Sequence, residues 1–254
     1  MIRSLNSLVR NRTDELMDQP DLPDSDHQLA LRGLARLNRF TGIAKSMFAT
    51  IRTLASKNPD RPLRIMDIAS GSGDIPIAWA KQAAREGIPL EITTVDISPV
   101  AVQTQADQAE AALAEIAQGD TTPGQTAAVR ISPLQLDCLN SKLPGGHDIV
   151  TNSLFMHHLD EPDVIKLVGA MHRAAEQQVL ICDLERSRLN LALVWIGAHA
   201  LSRSSVVHTD SSLSVHGAYT MDEFRELGAQ AIGQEIPVQR VVPCRFISTW
   251  RTAS

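Results

Sequence analysis

The chain of 254 residues lacks several features that would have narrowed its role at once. It has no run of lysine and arginine, and its formal net charge is −5, so it lacks the basic patch by which a nucleic-acid partner is usually held. Its three cysteines, Cys138, Cys182 and Cys244, are an odd number without C-x-x-C spacing. They read as reduced thiols of a cytoplasmic protein, two of them inside predicted strands. The first twenty residues alternate polar and apolar side chains and carry no continuous apolar core of an export signal. The longest apolar run, Leu189 to Leu201, is broken by Asn190 and His199 and falls short of the roughly twenty residues a membrane span needs. No internal repeat and no low-complexity tract is present.

What is present is a regular alternation of short β-branched runs with helical spacing. Strands are expected at 64–68, 90–96, 128–136, 147–152 and 178–183, and helices at 74–86, 99–117 and 161–176. A Gly/Thr/Pro loop is expected at 119–125. Pro133 removes a ladder donor and points to a sheet edge. Ahead of these lie a polar arm to about residue 25 and two helices, opening at Asp24-Ser25-Asp26 and broken near Thr41-Gly42. They are read either as a packing layer or as a lid using Arg39 and Phe40. Behind them lie an apolar helix from Arg186 to Arg203, a polar loop from Ser204 to Ala218, a helix capped by Thr220 and Glu223, and an antiparallel pair at 238–242 and 245–251. The economical fold is α/β: a Rossmann-like, seven-stranded, mostly parallel sheet with helices on both faces and an N-terminal helical lid. The expected division is a helical extension over 1–60 and a main domain over 61–254, with a substrate-cap insertion at 186–219.

The strand ends carry the chemistry. Arg64-Ile65-Met66-Asp67-Ile68-Ala69-Ser70-Gly71-Ser72-Gly73 reads as a strand ending in an acid and a turn of small residues, followed by a helix whose free N–H groups face a ligand. A dinucleotide fingerprint would need glycine at 76, where Pro76 stands. The second strand closes on Asp96, whose two oxygens suit paired ribose hydroxyls. The third closes on Asp137-Cys138, and the fourth runs through Asn152-Ser153 to His157 and His158.

Asp67-x-Ala69-x-Gly71-x-Gly73 resembles the S-adenosyl-L-methionine (SAM) turn of class I methyltransferases. That resemblance implies SAM as cofactor, held by Asp67, Ala69, Ser70, Gly71, Gly73, Asp96, Ile97, Asp137, Cys138, Asn152 and Ser153, with Asp137 beside the adenine amino group. Further segments, Glu15-Leu16-Met17-Asp18, Leu31-Arg32-Gly33-Leu34-Ala35-Arg36-Leu37-Asn38, Ser153 to Leu159, Asp183 to Leu189 and Pro243 to Phe246, look like the bacterial subgroup encoded beside type III polyketide synthases. The subgroup implies O-methylation of a small hydrophobic, polyketide-derived phenol, with C-methylation of a quinone ring as the alternative. Tyr219 and His216 stand where the subgroup's phenylalanine and arginine are expected.

A phenol is largely protonated at neutral pH, so a histidine in reach would serve as general base. His158 and His157 are the candidates, against the plainer reading that one of them caps the next helix. Arg186, His208, His216 and Tyr219 are the candidate substrate residues, with a His–Asp pairing through Asp210 considered. No metal is expected, because adjacent histidines should point apart and Asp183 is followed by Leu184. The expected partner is a small phenolic or quinone-like molecule, with no nucleic acid and no membrane insertion. Two other classes stay open: a nicotinamide oxidoreductase and a non-catalytic SAM-binding scaffold.

Overall fold

The computed structural model describes residues 8–18, 22–118 and 128–252. The expectations for the first residues of the arm, the loop at 119–125 and the side chains of Arg39 and Phe40 lie outside the described residues.

Seven strands form one sheet in the order β3-β2-β1-β4-β5-β7-β6. They are β1 (Leu63–Ile68), β2 (Leu90–Asp96), β3 (Val129–Gln135), β4 (His147–Ser153), β5 (Ala175–Leu184), β6 (Val238–Val241) and β7 (Arg245–Arg251). β1 pairs in parallel with β2 and β4, β2 with β3, while β6 and β7 are antiparallel. Pro133 lies in edge strand β3, where its missing N–H leaves no ladder bond unmade. The central strands β1 and β4 are buried on both faces, as near-continuous apolar runs require.

The described chain falls into two compact units. One comprises Ala44–Ser153, Ile165–Ile181 and the final residues from Thr249. Here helices α2 (Ile43–Ala55), α3 (Asp74–Glu86) and α4 (Pro99–Gln118) accompany β1 to β4. Trp79 is fully buried, and its indole N–H donates to the Ala44 carbonyl (3.0 Å), tying α3 to α2.

The other unit comprises the described part of Met1–Ile43, Leu154–Val164 and Cys182–Ser248. Here α1 (Asp24–Thr41), α6 (Arg188–Leu201) and α7 (Ser205–Gly217) share a small core of Ala30, Ala198, Val206 and Val207, covered by Leu16, Met17 and Leu22. Between them in sequence α5 (Glu161–Ala174) follows β4, and α8 (Met221–Ile232) opens with the expected capping box of Thr220 and Glu223.

One element departs from the sequence reading. Residues 205–217 form α7 instead of a loop. Serine, threonine and histidine give little intrinsic helical preference. The helix is held from outside: Ser204 caps it by accepting from Val207 N–H, and Val206, Val207 and Val215 bury one stripe. Asp210 accepts from the N–H groups of Leu16 (2.8 Å) and Met17 (3.0 Å), so it anchors the short 3-10 turn there and, among the described residues, pairs with no histidine. Among the described residues no helix is long and apolar enough to cross a membrane.

Candidate active site

The turn after β1 is built on left-handed backbone. Ala69 (φ 53°), Gly71 (φ 55°) and Gly73 (φ 82°) alternate with Ser70 and Ser72. A Cβ on Gly73 would come within 3.2 Å of Gln105, whereas Gly71 has open space around it. Ser70 N–H donates to Val95 O and its hydroxyl to the Asp67 carboxylate, while Gly71 N–H donates to Asp96 Oδ2 (2.9 Å). Asp96 Oδ1 accepts from Ser98 N–H, and each oxygen keeps a further lone pair.

Behind the turn, Asp67 is fully buried and accepts from Thr151 and Ser70. Burial pushes its carboxyl up to about 6, and Asp96 adds to the rise, against the lowering by the two hydroxyls. Asn152 donates to Ile68 O, and among the described residues its buried Oδ1 has no partner. A buried carboxyl with hydroxyl partners and no cation among the described residues suits a ligand that brings an ammonium group. Asp137 sits in a turn, accepting from Leu139 and Asn140 N–H, and Asn140 holds it below the usual carboxylate range. Ser153 and Cys138 are partly or fully covered, and Ile97 is exposed. Two residues that sequence reasoning missed belong to this cluster: Thr151, and Gln105, which accepts from Thr94 and donates to Gly71 O (2.7 Å).

A separate cluster of titratable side chains lies in the other unit. His157 Nδ1 lies 2.6 Å from Asp183 Oδ1 and is buried. Asp183 also accepts from Phe155, Met156 and Leu184 N–H, which fixes the loop after β4. Contrary to expectation, the two adjacent histidines do not point apart. Their rings lie 4.3 Å apart, and both Nε2 atoms approach Glu15 Oε1, at 3.9 and 4.0 Å. Both histidines lie in the 3-10 turn Met156–His158 that follows β4. Burial opposes charge on His157, but Asp183 and Glu15 outweigh it and raise its pKa. Burial and the neighbouring His157 push His158 down to about 3, so it is neutral. The cluster borders a cavity of about 60 Å³ that Arg12, Ser214 and Gly217 also line.

Glu15, His157 and His158 form the one group among the described residues whose ligand atoms, within 4.8 Å of one another, are close enough to share a metal ion. Glu15 also accepts from Ser214, and His157 is oriented by Asp183. Glu15 and Asp183 were not among the candidate residues. Asp183 repeats the pattern of a strand closing on an acid, but nothing local marks Glu15, which is far away in sequence.

Of the candidate substrate residues the structure joins Arg186 and Tyr219, whose carbonyl accepts from Arg186 N–H (3.1 Å), while the side chains of both are taken up elsewhere. Tyr219 is buried, donates to Leu159 O (2.7 Å), lies under the Arg10 guanidinium, and has its phenol pushed up to about 12 by burial. Arg186 is buried against Leu8 O, Ala218 O and Glu223. His208 bonds Ser202 O and stacks on His199. His216 alone borders an open groove, between α6 and α7.

No protein-family model matches the chain, and no curated protein matches its sequence. Solved structures do match. A proposed O-methyltransferase from Nostoc punctiforme PCC 73102 superposes with a TM-score of 0.59 at 15% identity, over 96% of this chain and 64% of that one. The SAM-dependent methyltransferase SibL, in its apo form, gives 0.61 at 15% over the same shares. The chain has a methyltransferase fold. It spans 64% of the length of those two proteins. The plantazolicin methyltransferase BamL, solved with a triazolic desmethylPZN analog and SAH, gives 0.59 at 14% over 88% of this chain and 91% of that one. A likeness at this identity is one of fold, and the residues of the methyltransferase-fold turn described above stand on their own geometry.

Proposed function

We propose that this protein transfers the methyl group of SAM to an oxygen of a small hydrophobic, phenolic acceptor. The observation that carries the reading is the left-handed turn itself, set between two strand-end acids, with Ser70 on the Asp67 carboxylate and Gly71 N–H on Asp96 Oδ2. In this reading the buried Asp67 carboxyl meets the ligand's ammonium group, and the turn has no third glycine for a pyrophosphate. Asp96 then takes the ribose hydroxyls and Asp137 the adenine amino group, with Ala69, Ser70, Gly71, Gly73, Ile97, Cys138 and Ser153 completing the walls. Bound SAM supplies a sulfonium whose methyl is already activated, so the chain's own task is alignment and removal of a proton.

His157 is the base in this reading. Asp183 holds the proton on Nδ1, which leaves the Nε2 lone pair to accept the acceptor's hydroxyl proton, and Glu15 steadies the imidazolium that results. His158, kept neutral, packs against it. The subgroup resemblance, to methyltransferases encoded beside type III polyketide synthases, is what favours a polyketide-derived phenol.

Calorimetric titration with S-adenosylhomocysteine and, separately, with NAD tests the proposal. Micromolar binding of the first alone, followed by methyl transfer from labelled SAM to alkyl-phenols, is the expected result. Binding of NAD instead would overturn it, and SAM binding without transfer to any phenol or quinone would leave a scaffold.

A further inference from the structure

Along α6, Arg188, Leu191, Ala192, Trp195 and Ile196 recur at the spacing of one helical stripe and line a groove of about 520 Å³, completed from α7 by His216. Trp195 is 53% and Ile196 57% exposed, and Leu189 and Leu193 extend the apolar surface beside them. A contiguous apolar patch of this kind marks a place where something binds. Its polar lining is Arg188, Ser212 and His216, with no carboxylate among them. Among the described residues the Arg188 side chain has no ion pair, and neither it nor the His216 ring has a side-chain hydrogen-bond partner. The only carboxylate between residues 188 and 217 is Asp210, which is buried and spent on Leu16 and Met17. In a chain of net charge −5, no acid stands among the groove's described lining residues, and a cation sits on the first turn of α6.

We propose that the α6–α7 groove binds a single-chain amphiphile with an anionic head, its aliphatic tail along Leu191, Trp195 and Ile196 and its head paired with Arg188 beside His216. The stripe from Arg188 to Ile196 covers about 12 Å of helix, which suits a medium-length alkyl chain. The apolar wall recognises the tail by area and the guanidinium recognises the head by charge and hydrogen bonds. This site is argued independently of methyl transfer, so SAH binding and amphiphile binding can fail separately. If both hold, the groove adds that the protein handles amphiphilic acids.

The test uses decanoate below its micellar concentration, with the tryptophan emission as the readout. Trp79 and Trp250 are buried, so Trp195 is the exposed reporter. Saturable blue-shifting by decanoate is expected, tightening about threefold per added methylene from octanoate to dodecanoate. Arg188→Gln should weaken decanoate about fivefold and leave decanol unchanged, and Ile196→Ser should weaken both. Both positions are exposed, and circular dichroism with a thermal melt confirms that each variant is folded. Equal affinity for decyltrimethylammonium, or no effect of Arg188→Gln, would overturn the proposal. So would a shift seen only with phosphatidylglycerol vesicles, which would make the face a bilayer contact, or sedimentation as a dimer that occludes Trp195.

Discussion

His157 and Asp183 share a buried hydrogen bond of 2.6 Å, and the carboxylate that forms it also accepts three backbone N–H groups of the loops around it. The imidazole is thereby fixed in tautomer and in position, which is what a proton acceptor needs before any substrate arrives. His157→Ala is expected to lower methyl transfer by a hundredfold or more without changing SAH affinity, whereas His158→Ala costs far less. Single-turnover rates of the two variants check this. Equal losses would move the role to the pair.

Because Asp183 raises the His157 pKa, the free base becomes populated only above the usual range of histidine. The expected kcat/KM for a phenol therefore rises with pH through a value above 6.5. Asp183→Asn should move that limb to lower pH while reducing the plateau rate. A pH–rate profile of both proteins reads it directly.

Asp67 titrates near 6 when no ligand is bound. Its folded pKa lies above the ordinary 3.8, so its contribution to stability is complete below that value and is lost as pH rises through about 6. A ligand ammonium supplies the missing partner for the ionised form. SAH should accordingly bind more tightly at pH 8 than at pH 5 and release a proton near pH 6, which calorimetry in buffers of different ionisation enthalpy detects. Asp67→Asn should abolish that release.

Asp148 shows the opposite sign. Although burial opposes its ionisation, Arg61, the N–H of Arg64 and Gln177 hold its carboxyl at about 2, so its stabilisation is present above 3.8 and is lost as pH falls through about 2. Arg61 is 42% exposed, which weakens the pair by solvent screening. Asp148→Ala should cost roughly 2 kcal/mol at pH 7, read by urea unfolding, with the difference shrinking toward pH 2.

Gly217 meets the His157 carbonyl so closely that a Cβ there would lie 2.9 Å from the oxygen. Gly217→Ala should displace the loop carrying His157, lowering kcat more than SAH affinity. An unchanged kcat would show that the loop yields without moving the imidazole.

The alternation of elements was legible in the sequence because each strand and helix carries its own period. Helix α3 and strand β2 match their expected bounds, and Pro133 marked an edge strand because a missing donor is tolerated only there. The turn from Asp67 to Gly73 could also be read locally, since small residues and left-handed backbone are properties of single positions. Helix α7 could not, because its stability comes from a serine cap and from Asp210 bonding a segment nearly two hundred residues away. The same holds for the histidines. Sequence placed His157 and His158 after a strand, but their convergence on Glu15, the choice of Asp183 as partner, and the diversion of Tyr219 and Arg186 into internal bonds required the chain to be folded. Periodicity determines which segments form; only packing between distant segments decides which polar groups meet.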